Sequence, residues 1–511
     1  MKEPEMNGMT TFELGRSVTS ATRRVIHTFD IFDTLIARRC IEAHAVFDEV
    51  ESRCGVAGFA AARKEAERRV YHREYTIADI YSGVRELLKL SEEQTEQLLH
   101  TEVMVELENV IPVAGMQRKL TQESVLITDM YLPVPVIREL LARAGIQREL
   151  PILISSHGKS SGATWRYFAE QGIQCIHHGD NEHSDVLNAR QAGMRARFTP
   201  ATRPTDFEAL LIQRGAVHAA RALRAARLQV DPDGLPEWLL RLQLNLNLPF
   251  LLVSVLDLLS EVREHGIERV LFASRDGRHL QAAFLALRDK FDDLLGVEAR
   301  YWFTSRVART RGSHDYVRYC EQMFEGRTAI VDLCGTGASI TKLLRDLGLD
   351  HQQFLVYLAQ QVSDRDYSNR MAQGYGLGTA DDLIPVRSAF DTASYINNAL
   401  IEELNYVPEG MVRDVMLTPS GVLPVRDAVD FEGEALRLVM QQNELLTRYF
   451  NVLSAELTPE ALGELIAAVP AIHEWMLLHA YNLKGELEML RRTLGVDDMS
   501  NEAFTQNDLF R

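Results

Sequence analysis

The stretch Arg24-Val25-Ile26-His27-Thr28-Phe29-Asp30-Ile31-Phe32-Asp33-Thr34-Leu35 constrains this chain more than any other. A short apolar run ends in two carboxylates, followed at once by a hydroxyl and a turn into helical sequence. Side chains alternate along a strand, so Asp30 and Asp33 cannot share a regular strand face, and the chain must leave the ladder just after Asp30. Both acids then stand at the carboxyl end of a strand, where ligands bind in an open parallel sheet. Two carboxylates there repel each other unless a cation or a shared proton relieves them, which points to a magnesium-dependent phosphate site.

Three later segments supply what such a site still lacks. Val125-Leu126-Ile127-Thr128-Asp129-Met130 reads as a second short apolar strand that ends in a hydroxyl. Ser155-Ser156-His157-Gly158-Lys159-Ser160-Ser161-Gly162 places one lysine in a loop of small residues. Ile176-His177-His178-Gly179-Asp180-Asn181-Glu182-His183-Ser184-Asp185 brings two more acids on a glycine-led loop that opens a helix. Taken singly, each residue has a plainer use: Asp33 or Asp185 as a helix N-cap, Thr128 as a strand end, Lys159 as a solvated surface lysine.

In this order the four segments resemble the four motifs of the haloacid dehalogenase superfamily of phosphohydrolases. The resemblance implies that Asp30 attacks phosphorus to form an aspartyl-phosphate, and that Asp33 protonates the leaving oxygen and later activates water. It implies that Thr128 and Lys159 hold phosphoryl oxygens. It implies Mg²⁺ as cofactor, held by Asp30, Asp180 and the backbone carbonyl of Asp33, with Asp185 as an outer or water-mediated partner. The carboxylate at position 33 favours phosphate-ester hydrolysis, because family members lacking it tend to be slower hydrolases or transferases.

The interval between Thr34 and Val125 is far longer than a parallel crossover needs, and it reads as helical. Thr76-Ile77-Ala78-Asp79 and Ser91-Glu92-Glu93-Gln94 have the form of capping boxes, and the Ala/Glu/Arg-rich stretch from Phe59 to Tyr75 predicts a solvent-facing helix with one buried stripe. A helical insertion over about 42–112 resembles the cap that many superfamily members place over the site. Arg63, Lys64, Arg68, Arg69 and Arg73 make it locally basic, which would attract an anionic substrate. The weightier reading is a solvated face balanced by Glu65, Glu67 and Glu74.

The fold class expected is α/β: a Rossmann-like domain with a helical cap over 20–200, a helical linker over 201–235, a second α/β domain over 236–425 and a helical region over 426–511. In the second half, Glu268 to Ala273 and Thr328 to Asp332 read as strands, each followed by a small-residue loop and a helix. Such loops can converge on an anion, so Arg275 and Asp276 after the first, with Arg306, Arg309 and Arg311 nearby, are candidate phosphate contacts. Asp332, Thr336, Gly337 and Ser339 are similar to the ribose-phosphate loop of type I phosphoribosyltransferases, with Val331 where that family usually has another acid. The plainer reading is a tight strand-to-helix turn. As a whole, residues 20–430 resemble a group of large bacterial proteins known only as predicted haloacid-dehalogenase-type hydrolases.

With 511 residues, 46% hydrophobic composition and a formal net charge of −17, the chain suits a multidomain protein and disfavours bulk nucleic-acid binding. Cys40, Cys54, Cys175, Cys320 and Cys334 show no paired spacing, so neither a disulfide framework nor a zinc site is expected. The first 24 residues show no signal pattern, and Leu246 to Leu259 is an interrupted apolar run too short to span a bilayer, so a cytoplasmic protein without a membrane partner is expected. Three functions are weighed. The first is a phosphohydrolase acting on a small phosphorylated metabolite, such as a sugar phosphate or nucleotide. The second is a bifunctional protein whose second half binds or transfers a phosphoribosyl group. The third is a non-catalytic scaffold. Oligomeric state is left open.

Overall fold

The structure is a computed structural model describing residues 25–232, 234–334, 338–349, 353–359 and 398–494. It is mixed α/β and divides into two compact units, one formed by Met1–Pro204 with Leu223–Asp231, the other by Thr205–Ala222 with Pro232–Arg511.

In the first unit, β1 (Ile26–Phe29) leads into β2 (Ile36–Arg38). Four helices follow, Ala45–Cys54, Phe59–Val70, Ile77–Leu88 and Glu92–Asn109, before β3 (Val110–Pro112) pairs antiparallel with β2. This two-stranded stem carries the helical insertion out of the sheet and back. Both expected capping boxes are present, on Thr76 with Asp79 and on Ser91 with Gln94, so the third and fourth helix starts are fixed locally. The chain then forms β4 (Val125–Asp129), β5 (Ile152–Ser155), β6 (Cys175–Gly179) and β7 (Arg195–Phe198). The sheet is parallel in the order β5-β4-β1-β6-β7. Phe29 and Leu126 join one core while Val125, Ile127 and Leu153 pack with Trp165 and Phe168 in another, which is why the strands read as continuous apolar runs.

Four of the five basic residues singled out in the insertion are paired with acids of the insertion itself. Arg63 is fully buried: it donates to both oxygens of Glu102 and to Glu67 at 2.8 Å, and lies over the rings of Phe47 and Tyr131. Arg68 and Arg69 pair with Glu65, and Arg73 with Asp79. Arg63 thus serves the insertion's interior and Arg68, Arg69 and Arg73 sit in short-range ion pairs, while Lys64 is exposed.

In the second unit, β8 (Arg269–Ala273), β9 (Glu298–Trp302), β10 (Thr328–Cys334) and β11 (Gln353–Ala359) form a parallel sheet in the order β11-β10-β8-β9. β12 (Val412–Thr418) and β13 (Gly421–Arg426) make an antiparallel pair. The helical stretch Glu237–Glu264 is long and apolar enough to cross a membrane, yet 94% of its apolar window is buried inside the protein, as expected of a core helix.

Two boundaries differ from those read in the sequence. Residues 201–235 are not a separate linker: helices Asp206–Gln213 and Val217–Gln229 lie here, and the chain passes between the units after Pro204, Ala222 and Asp231. Residues 426–511 belong with 236–425 in one compact unit. Within it, helix Pro459–Asn482 continues through the proline at 470. Ile472 and Met476 are fully buried beyond the proline and His473 meets Asp257 at 3.3 Å, so tertiary packing outweighs the lost backbone bond.

Candidate active site

The ladder of β1 ends where the sequence requires. Asp30 N–H donates to the His178 carbonyl at 2.9 Å, and the backbone then turns, with the Leu35 and Ile36 amides both donating to the Ile31 carbonyl. Asp33 takes φ +55°, a left-handed conformation that Asp tolerates better than most residues. Its carbonyl accepts from Thr202 Oγ1 at 3.2 Å, and one carboxylate oxygen lies 3.6 Å from Arg224 Nη2.

Lys159 is held by its own backbone. The amides of Lys159 and Ser160 both donate to the Asp129 carboxylate at 2.8 Å, while Asn188 Nδ2 donates to the carbonyls of the same two residues. So clamped, the loop directs the buried ammonium between two acids: Nζ lies 2.7 Å from Asp30 Oδ1 and 2.6 Å from Asp185 Oδ1.

Asp185 is fixed on every side. Oδ2 accepts from the Asn181 amide at 3.0 Å, and Oδ1 meets His177 Nε2 at 3.2 Å. With Nε2 donating to the acid, Nδ1 accepts from Thr28 Oγ1 at 2.9 Å. The fit also requires Gly179, where a Cβ would fall 2.4 Å from the Asp185 carboxylate. Asn181 caps the following turn by accepting from the amides of His183 and Ser184. One carboxylate oxygen each of Asp30, Asp180 and Asp185 lies within 4.8 Å of the others, and Thr34 Oγ1 stands 3.5 Å from Asp180 Oδ1.

The charges are unequally balanced. Burial pushes Asp30 well above the usual carboxylate range, Asp185 and Asp180 add to this, and Lys159 opposes it. Burial, with Asp33 and Asp185, raises Asp180 to about 6. For Asp185 burial also acts upward, but Lys159 and His177 outweigh it and hold the carboxyl below its usual range. Burial would strip the Lys159 proton, yet Asp30 and Asp185 keep it charged. An all-oxygen donor set in which two acids are pushed up while the third stays ionised fits a hard divalent cation such as Mg²⁺.

Of the residues singled out in this half, Asp30, Lys159, Asp180 and Asp185 are brought together, with Asp33 beside Asp180. Thr128 is buried at the end of β4, next to β1, and its hydroxyl makes no hydrogen bond to Asp30, Lys159 or Asp185. Asp129, His177, Asn188, Thr202 and Arg224 went unmarked. The tandem histidines were the one local signal; a buried arginine returning from beyond residue 200 leaves none.

In the second half, Arg275 and Asp276 follow β8, Asp332 lies in β10, and Ser339 Oγ accepts from Arg309 Nε at 2.9 Å. Thr336 and Gly337 lie outside the described residues. Arg275 is engaged within the protein, 2.5 Å from Asp430 and over the Tyr406 ring. Glu402, unmarked as a site residue in the sequence, joins Asp276 and Asp332.

No protein-family model and no curated protein matches this chain. Among solved structures, a conserved haloacid-dehalogenase-like protein of unknown function from Agrobacterium tumefaciens is similar at 18% identity, over 34% of this chain and 81% of that one, with a TM-score of 0.22.

Proposed function

We propose that the first unit is a Mg²⁺-dependent phosphohydrolase that works through an aspartyl-phosphate on Asp30. The observation that carries this reading is Lys159 Nζ seated between Asp30 and Asp185, with the Asp180 carboxylate in the same cluster at the carboxyl end of β1. Asp30 has one oxygen engaged by the lysine, which leaves the other for attack on phosphorus. Asp33, more exposed than Asp30, is positioned to give a proton to the leaving oxygen and to take one from the water that cleaves the acyl phosphate. Lys159 offsets charge on the phosphoryl oxygens. Asp30, Asp180 and Asp185 are the side chains that would hold Mg²⁺, and the bound ion would neutralise the substrate phosphate and the acids facing it. The substrate class is a small phosphorylated metabolite.

The experiment is a phosphate-release screen over sugar phosphates, nucleotides and pyrophosphate, with and without Mg²⁺. Turnover that needs Mg²⁺ and vanishes in a folded Asp30→Asn variant supports the reading. Turnover that persists in that variant, or none at all across the panel, ends it.

A further inference from the structure

In the second unit the chain leaves β8 toward β9 on one side and returns to β10 on the other. That reversal opens a crevice at the carboxyl ends of β8 and β10, where open α/β sheets bind ligands. Charged groups gather there without settling their hydrogen bonds. Asp276 Oδ1 is closed off from solvent and has no hydrogen-bond partner; Arg275 Nε stands off at 3.8 Å. Asp332 in β10 and Glu402 in helix Asn398–Asn405 face Asp276, and Arg306 faces Asp332, Glu402 and Arg309. Among the described residues, the side chains of Arg306 and Glu402 make no hydrogen bond or ion pair.

A self-contained salt-bridge network would pair these groups; apart from Arg275, which stands beside Asp276 and binds Asp430, this arrangement sorts them instead. Arg306 and Arg309 share one side, and Arg309 is steadied by Ser339 and by Thr304 at 3.3 Å. The three acids do not draw together as Asp30, Asp180 and Asp185 do, so a single bare cation is poorly matched. Burial, reinforced by Asp332, holds Asp276 up at about 7 and, with Asp276 and Asp332, keeps Glu402 well above its usual range. Burial raises Asp332 as well, against Arg309 and Arg306, so the two neighbouring guanidiniums are the less fully compensated charge and the crevice favours an anion.

We propose that this crevice binds a small anionic polyol of the sugar-phosphate class, its anionic group on Arg306 and Arg309 and its hydroxyls on Asp276, Asp332 and Glu402. Hydroxyls suit these acids because they donate to a carboxylate and accept from a carboxylic acid equally well. This binding needs no turnover at Asp30.

Calorimetric titration of the full chain in EDTA tests this, with pentose and hexose phosphates, the parent sugars, inorganic phosphate and, without EDTA, Mg²⁺ alone as probes. Expected is a sugar phosphate that binds about tenfold or more tighter than both its parent sugar and inorganic phosphate, equally well in Asp30→Asn. Arg306→Gln should weaken it about tenfold or more. Because a buried arginine can be needed for folding, Glu402→Gln is the companion variant: it should keep or raise the melting temperature of the free protein while weakening the sugar phosphate. The proposal is overturned if no sugar phosphate binds Asp30→Asn, if inorganic phosphate binds as tightly, if neither second-unit variant changes affinity, if Glu402→Gln lowers the melting temperature, or if Mg²⁺ alone binds in a manner that Asp276→Asn abolishes. Absence of phosphatase turnover, with this binding intact, would count against the first site only.

Discussion

Each of the two units gathers acids and basic side chains at the carboxyl ends of its parallel strands, but they treat that charge differently. Around Asp185 the protein supplies Lys159, His177 and the Asn181 amide, so a fully buried acid stays ionised. Around Asp276, among the described residues, it supplies no donor within hydrogen-bond reach of Oδ1, with Arg275 standing off at 3.8 Å, and the carboxyl is pushed to about 7. The same side chain at equivalent places in two sheets thus has opposite acidities, and the cause is whether a donor was built beside it. A finished constellation suits covalent chemistry, which needs fixed geometry; an unfinished one suits a ligand that completes it on arrival.

The comparison can be attacked first at its largest effect. Asp30→Asn should lower turnover by roughly 10⁴–10⁶-fold, as loss of a nucleophile does elsewhere, with the circular dichroism spectrum unchanged. A drop of only a few fold would remove the contrast, because Asp30 would then be no more than a neighbour of the metal. Next, Lys159→Met should cost about 3–5 kcal/mol in urea unfolding, since it strands Asp30 and Asp185 without their cation. A stable Lys159→Met protein would mean that the first site is no better balanced than the second. Smaller again, Gly179→Ala should cost about 1–3 kcal/mol and weaken Mg²⁺ binding, because the new methyl meets the Asp185 carboxylate.

The smallest effect is a slope. In the folded state the pKa of Asp276 is raised to about 7, so between its unfolded value, roughly 3.9, and 7 the native state holds the extra proton. Its contribution to stability is therefore present at low pH and lost as pH rises through that window. Asp276→Asn should flatten the fall in the urea midpoint between pH 5 and 7. Asp185, held below its usual range, acts with the opposite sign, its stabilisation present at neutral pH and lost in acid. If the wild-type midpoint does not fall between pH 5 and 7, the unpaired state of Asp276 is not what its surroundings indicate.

What was legible in the sequence is what local chemistry decides. The exit of the chain after Asp30 follows from strand alternation, and the helix starts at Ile77 and Glu92 follow from reciprocal caps three residues apart. The bringing together of Asp30, Lys159, Asp180 and Asp185 could be expected only because four segments occurred in order; no one of them carries it. What lay hidden depends on distant chain. Arg63 looks like a surface arginine in an Ala/Glu/Arg helix, and only Glu102, on another helix, takes it inside. Glu402 sits in an ordinary helical pattern and meets Asp276 through the sheet order. The helix through Pro470 follows from packing on both sides, which overrides the local preference for a break.

Arg224 reaches the first site from a segment that the chain delivers late. Its guanidinium, 3.6 Å from Asp33, also donates to the carbonyls of Thr202 and Arg38, and Ala225 and Leu228 fill the same core as Phe29. A ribosome that has released Pro204 has therefore delivered every proposed reacting group but not the brace behind the acid. It must go on to make Thr205–Ala222, which belong to the other unit, before Leu223–Asp231 can return. A fragment cut at residue 204 would lack this brace, and the first compact unit is complete only at residue 231.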